Sequence, residues 1–354
     1  MQNISFTYSP LGARVVFGEG SLDRLSEEFA TLGGTRALVL CTPEQTALGK
    51  IVGDALGSRF AGLFPKAAMH VPLDIAREAR SLASTLGVDC IVAAGGGSTI
   101  GLGKAIALES NIPIIAIPTT YAGSEMTPIY GITDGNEKRT GRDPKVLPRT
   151  VLYDPALTLS LPTPMSVTSG INAIAHCVEA LYAEDRNPIT SLIAEEGIRS
   201  LAQGLPKVVE NSADQSARSQ CLYGAWLSGM ALGATSVALH HKLCHTLGGM
   251  LNLPHAETHT VVLPHALAYN AGSAPEAMAR IARALNSKNP ALGIYDLATQ
   301  LGAPTSLRGL GVKSEDLDKV ADAAMKKPYP NPRALERAAI RELLERAWLG
   351  AAPV

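Results

Sequence analysis

The stretch 240–265, HHKLCHTLGGMLNLPHAETHTVVLPH, holds six of the chain's eight histidines: His240, His241, His245, His255, His259 and His265. A smaller group precedes it in GINAIAHCVEA, where Asn172 and His176 stand four residues apart and Glu179 follows three later. Imidazole titrates near neutrality and is the commonest metal-binding side chain, so this density points to proton transfer or metal ligation. Three readings compete. A metal site needs three or four N or O ligands converging from separate segments, and His176, His241 and His255 can supply three. A metal-free site uses one imidazole as a proton donor and others as hydrogen-bonding groups. The plain alternative has each ring satisfied singly in helix packing. That suits His240 and His265 better than His241 and His245, which share a helix face at i, i+4.

Two further stretches could hold a phosphate. Gly95-Gly96-Gly97-Ser98-Thr99 leaves an apolar run and enters a helical pattern. Consecutive glycines let backbone N–H groups approach an anion, and a helix N-terminus adds partial positive charge. A tight turn alone needs only one glycine. The run is neither a GxGxxG fingerprint nor a P-loop, because GGGSTIGLGK lacks the GK[ST] ending. The second stretch, PTTYAGSEMT (118–127), offers hydroxyls at Thr119 and Thr120, and such loops are also common as inert connections. Thr42-Pro43-Glu44-Gln45 follows ALVLC without a carboxylate directly at the strand end to bind a ribose 2′-hydroxyl. Thr42 counts among the cofactor-binding candidates, and the choice between NADH and NADPH stays open. Lys138, Arg139, Arg142, Lys145 and Arg149 crowd one segment, as a solvated loop or as contacts for phosphates or an anionic substrate. Arg139, Lys242 and Tyr130 are the substrate candidates.

Positioning such groups needs a frame. Short apolar runs (in 37–41, 67–71, 90–99, 112–120 and 151–155) alternate with helical stretches through the first half. Continuous apolar runs between helices indicate parallel strands covered on both faces. The opening 5–20 reads as a hairpin around Pro10-Leu11-Gly12, and VLYDP as the last strand. From about residue 166 apolar residues recur at three and four, so the remainder should be all-helical. The expected fold is therefore an α/β, doubly wound, Rossmann-like domain over 1–157 and an all-α catalytic domain over 158–354. One helix should end at Gly248-Gly249, with His255 in a loop and His259 beginning the next helix. A formal charge of −1 on 354 residues argues against a nucleic-acid partner. No apolar run reaches the roughly 20 residues of a membrane span. Five scattered cysteines without CxxC spacing fit reduced thiols in a cytoplasmic protein.

Taken together, GGGST, IPTTYAGSEMT, HxxxH and PHAETHTVVLPH resemble the iron-containing (group III) alcohol dehydrogenase family along nearly the whole chain. Within it, IPTTYAGSEMTPIYGIT, SGINAIAHCVEALYA and HHKLCHTLGG are similar to the branch that reduces the C=C bond of maleylacetate to 3-oxoadipate in aromatic-compound degradation. The resemblance implies the two-domain architecture shared with dehydroquinate synthase, a homodimer, and NADH or NADPH between the domains. It implies that Gly95, Gly96, Gly97 and Ser98 hold the pyrophosphate and that Thr119, Thr120 and Lys138 line the nicotinamide side. His176, His241 and His255 fall on the family's metal ligands and His245 on the histidine beside the substrate. Two positions depart from the pattern. The fourth ligand, an aspartate, is replaced by Asn172, and the aspartate of GGGSxxDxAK by Gly101, with Lys104 retained. A neutral amide is a poorer ligand for a divalent cation than a carboxylate. The expectation is a catalytic group of His245, His241, His176, His255 and Asn172 acting on a small dicarboxylate without a required metal. The alternatives are a metal-dependent alcohol or aldehyde dehydrogenase of the same family and a lyase that uses NAD transiently.

Overall fold

A computed structural model describes residues 6–10, 12–135, 137–326 and 329–354. The chain divides into two compact units at Leu161/Pro162, and residues 6–10 group with the second. The division falls at 162 rather than 158 because a 3₁₀ turn, Pro155–Thr158, caps the last strand, with the Asp154 side chain accepting from Ala156 N–H.

The first unit contains β1 (Arg14–Phe17), α1 (Leu25–Thr31), β2 (Ala37–Leu40), α2 (Thr46–Leu56), β3 (Phe60–Phe64), α3 (Leu73–Thr85), β4 (Cys90–Gly95), α4 (Gly97–Ser110), β5 (Ile114–Pro118), β6 (Ile129–Asp134), β7 (Glu137–Arg142) and β8 (Thr150–Tyr153). Six of these strands form one parallel sheet in the order β1-β8-β5-β4-β2-β3. In β2, β4 and β5 every residue is buried. That explains their unbroken apolar runs, since a parallel strand roofed on both faces has no solvent side.

Three local expectations change. The opening does not form a hairpin among the described residues: β1 pairs in parallel with β8, Val15 opposite Val151. Residues 67–71 are a loop, and the strand is β3, whose half-exposed FAGLF lies at the sheet edge. The basic segment is no loop but an antiparallel hairpin of β6 and β7, with Tyr130 opposite Gly141 and Thr133 opposite Lys138. Gly135, with φ 58°, follows Asp134 into the turn.

The second unit is helical: α5 (Thr163–Tyr182), α6 (Pro188–Glu210), α7 (Gln215–Ala234), α8 (Leu239–Leu251), α9 (His255–Asn270), α10 (Pro275–Leu285), α11 (Pro290–Gln300), α12 (Asp316–Met325) and α13 (Arg337–Leu349). Leu243 and Leu247 of α8 join Val261, Val262 and Ala266 of α9, Val320 of α12 and Ile340 of α13 in one apolar core. Helix α8 runs through Gly248-Gly249 to Leu251, because Asn252 in the left-handed conformation ends it. Pro254 then caps α9, so His255 opens that helix and His259 lies one turn inside it. No single helix among the described residues is long and apolar enough to cross a membrane.

Candidate active site

Thr42, the glycine run and Thr119-Thr120 follow the carboxyl ends of three neighbouring strands, β2, β4 and β5. The chain leaves β2 outward to β3 and returns to β4 on the other side of β2. This reversal makes the crevice beyond β2 and β4 the usual ligand position of an open α/β sheet. Gln45 Nε2 donates to Thr119 Oγ1 at 2.9 Å, and Thr119 N–H donates to Gly95 O at 3.2 Å. Gly95 sits at φ +156°, and a Cβ there would meet Thr99 Oγ1 at 2.4 Å. On Gly96 a Cβ would meet Thr120 Cγ2 at 2.8 Å. Both glycines are demanded by the protein's own packing. Gly97 is not: a Cβ there would meet only Ala122 Cβ, at 3.9 Å. Its missing side chain leaves open room at the first turn of α4, where no side chain caps the helix. Uncapped N–H groups beside open space suit a phosphate. Behind this turn the Lys104 ammonium, 1% exposed, donates to Ser124 O (2.7 Å), Thr127 O (2.8 Å), Thr127 Oγ1 (3.0 Å) and Ile129 O (2.7 Å). The loop after Thr119-Thr120 is thereby pinned to the helix that carries the glycines.

In the helical unit α5, α8 and α9 bring six histidines together. His176 stacks on His241, ring centroids 5.2 Å apart. The His259 ring lies 4.1 Å from His255, 4.8 Å from His240, 5.0 Å from His241, 6.4 Å from His245 and 6.5 Å from His176. His176, His240, His241 and His259 are buried, whereas His245 and His255 are exposed. The cluster has a floor and a rim.

Glu179, fully buried on α5, organises the floor. Its Oε2 accepts from His241 Nδ1 and from Ala238 N–H, each at 2.7 Å, and its Oε1 accepts from His240 N–H at 2.7 Å. Burial works to raise this carboxyl, but the His241 ring and the backbone donor outweigh it and hold it below its ordinary value. The carboxylate therefore fixes the His241 proton on Nδ1 and turns Nε2, which has no partner, away from itself. His240 donates from Nε2 to His259 O at 3.1 Å. Burial, followed by the neighbouring imidazoles, keeps His176 and His259 well below their ordinary pKa, and burial brings His240 down to about 4. These rings are neutral near pH 7. Both ring nitrogens of His259, Nδ1 of His176 and Oδ1 of Asn172 are buried without hydrogen-bond partners.

His259 is the residue that the sequence pattern did not single out, and His240 belongs to the floor rather than to ordinary packing. The i, i+4 repeat of His255 and His259 on one helix was the available signal. His265 is buried apart from these ring contacts, with its pKa brought by burial to about 4. Of the basic candidates, Lys242 on α8 lies over the Tyr329 ring at 5.7 Å. Arg139 is exposed and, among the described residues, pairs with Asp134 at 3.5 Å, a pair worth little in water. Tyr130 packs across Gly141. The Lys138 side chain lies outside the described residues.

The resemblance implies a divalent metal held by three histidines and an aspartate. Position 172 offers an amide, and Glu179, the carboxylate at the cluster, already accepts three hydrogen bonds. Among the described residues, the group whose ring nitrogens lie within 4.8 Å of one another is His240, His241 and His259, not His176, His241 and His255. One of that group is engaged with a backbone carbonyl. The donors present do not reproduce a carboxylate-bearing metal site.

The model of the iron-containing alcohol dehydrogenases matches residues 12–155, and that of the Fe-containing alcohol dehydrogenase family, C-terminal, matches residues 166–348. The chain is 61% identical over 349 residues, 99% of each protein, to a maleylacetate reductase of Burkholderia cepacia. It is similar to the crystal structure of maleylacetate reductase from Agrobacterium tumefaciens, with TM-score 0.95 and 50% identity over the whole of both chains. A structure described as a putative alcohol dehydrogenase from Ralstonia eutropha JMP134 superposes with TM-score 0.98 at 59% identity, over 99% of this chain and 100% of that one. With both family models matched in sequence order and the two-unit fold shared, the chain is an oxidoreductase belonging to the iron-containing alcohol dehydrogenase family.

Proposed function

We propose that this enzyme reduces the C=C bond of maleylacetate to give 3-oxoadipate, with NADH or NADPH as reductant and without a required metal. The observation that carries the reading is the Glu179–His241 pair. It leaves an unpartnered Nε2 within a cluster of imidazoles that also includes exposed His245 and His255, in a chain similar over 99% of its length to a maleylacetate reductase.

The substrate is an enone with a carboxylate at each end. The chemistry that NAD(P)H would supply when bound is a hydride, here for the alkene carbon β to the ketone. As that carbon is reduced, negative charge grows on the ketone oxygen. His241, whose Nδ1 donates to the Glu179 carboxylate, turns Nε2 toward that oxygen, and a proton taken up there would be donated to it. Such preorganised donors act most strongly away from water, and the buried floor excludes it. His245, on the rim one helical turn further, delivers the proton to the α carbon and regains one from solvent. His255 and the neutral His176 shape the pocket beside Asn172. In the α/β unit Gly95, Gly96, Gly97 and Ser98 receive the pyrophosphate, with Thr42, Thr119, Thr120 and Lys138 along the rest of the cofactor. Lys242, Arg139 and Tyr130 are the groups offered to the carboxylates.

Oxidation of NADH followed at 340 nm tests the reading, with maleylacetate set beside simple aldehydes, with and without EDTA. Turnover of maleylacetate that persists in EDTA supports it. Activity on aldehydes alone, lost to the chelator, would establish instead the metal-dependent carbonyl reductase that the His240/His241/His259 group would favour. The same proposal carries a cytoplasmic homodimer, for which a solution mass near twice 37.0 kDa is the check.

A further inference from the structure

We propose that Val71 and Gly101 form a lock that fixes the β6–β7 hairpin against the phosphate-binding helix α4, making both positioning residues for NAD(P)H. This rests on the cofactor reading above. Gly97, Gly101 and Lys104 are spaced by four and three, so they share one face of α4. Gly97 leaves room for phosphate. A Cβ at Gly101 would meet Val71 Cγ2 at 2.7 Å, so the valine methyl occupies the space that a side chain at 101 would fill. Lys104 grips the root of β6 through Ile129 O at 2.7 Å.

The valine reaches that hole from an unfavourable backbone. His70 and Val71 have φ values of 64° and 52°, and a β-branched residue in the left-handed region is an outlier. Strain of this kind persists only where the surroundings over-determine it. Here Val71 O accepts from Thr133 N–H at 3.0 Å and His70 O accepts from Thr133 Oγ1 at 2.8 Å. Pro72 also bridges to Thr133 in the parallel sense. Strand β6 is thus held at Ile129 by Lys104 and at Thr133 by the strained pair, and both grips end on the α4 face that begins with Gly97. Ordinary packing would be met without strain by glycine at 71 and a side chain at 101. The chain has the reverse, which ties the hairpin bearing Tyr130 and Arg139 to the cofactor helix.

The test measures NADH and NADPH dissociation constants by fluorescence without substrate, together with KM, kcat and melting temperature. Gly101→Ala sets a methyl against Val71, which has no flexible end to swing aside. A displaced phosphate turn weakens the ground state and the transition state alike, so NADH binding should fall roughly tenfold or more while kcat at saturating NADH stays within about twofold. Thr133→Val, which removes only the hydroxyl grip, should shift the dissociation constant in the same direction and serves if Gly101→Ala does not fold. The double variant Val71→Gly/Gly101→Ala should return NADH binding to near the wild-type value. Unchanged NADH affinity in Gly101→Ala and Thr133→Val, or no recovery in the double variant, would overturn the lock. A melting-temperature change alone would mark it as merely structural. Wild-type protein that binds neither nucleotide would instead sink the cofactor reading.

Discussion

The cradle at the start of α4 and the cluster on α5, α8 and α9 are prepared for ligands in opposite ways. The cradle is made of backbone: glycines crowded by Thr99 and Thr120, a helix start and one open position at Gly97. Among its neighbours Thr119 is bonded to Gln45 and Lys104 to four oxygens, and Thr99 Oγ1 is a single buried atom without a partner. The cluster is made of side chains and is left short of partners, with imidazole nitrogens of His176, His240, His241 and His259 buried and unpaired. An anion cradle costs a fold little, since helix termini carry unsatisfied donors anyway. A floor of unpaired imidazoles is destabilising and persists because a ligand or a transition state completes it.

Substitutions should separate the two regions by what they change. The largest effect is expected at the rim: His245→Ala should lower kcat by about 100- to 1,000-fold with NADH affinity unchanged. Turnover close to wild type would remove His245 from the chemistry. Glu179→Gln keeps the shape but loses the charge behind His241, so kcat should fall by about 100-fold, the lower end of what a positioned proton-transfer group contributes. Its pH–rate profile should also move, a change that loss of packing alone would not produce. Gly97→Ala should do the converse, weakening NADH by roughly tenfold with an unaltered melting temperature, because the fold has room for the methyl. A drop in stability without loss of NADH would show that Gly97 serves packing. His259→Leu removes two unpaired buried nitrogens, so the protein should gain on the order of 1 kcal/mol. A lower melting temperature would mean that the ring has partners after all.

A further contrast is the response of the helical unit to falling pH. Burial holds His240 and His265 to about 4, and His176 and His259 well below their ordinary value. The unfolded chain, with histidines near 6.5, therefore takes up protons first as pH falls. The stability these neutral rings represent is complete above about pH 6.5 and is lost toward pH 4. Hydrogen exchange at pH 5 against pH 7 should show α5, α8 and α9 losing protection before β2, β4 and β5. Uniform loss across both units would contradict the contrast.

The α/β sheet was legible because its central strands, fully buried, show as unbroken apolar runs, and the phosphate loop because three glycines lie side by side. Strand β3 was missed because an edge strand with one open face has no such run. The β6–β7 hairpin was hidden by its charges, which a strand keeps when its face is wet. His241 and His245 stand out by helical spacing, whereas the His255–His259 repeat is masked by Pro254, which reads as a loop residue but caps α9.

By itself the sequence determined the backbone site, since a glycine run at a strand-to-helix turn works through local conformation and needs no distant partner. It also determined that imidazoles would gather, and that Asn172 cannot bring a charge. Only the tertiary structure decided which of the six histidines form the floor and which the rim, that Glu179 holds His241, and that Val71 fills the space at Gly101. Those facts depend on side chains far apart in sequence, such as Glu179 and His241, 62 residues apart, meeting at van der Waals and hydrogen-bond distances. Such meetings are set by how the helices and loops pack, not by spacing along the chain.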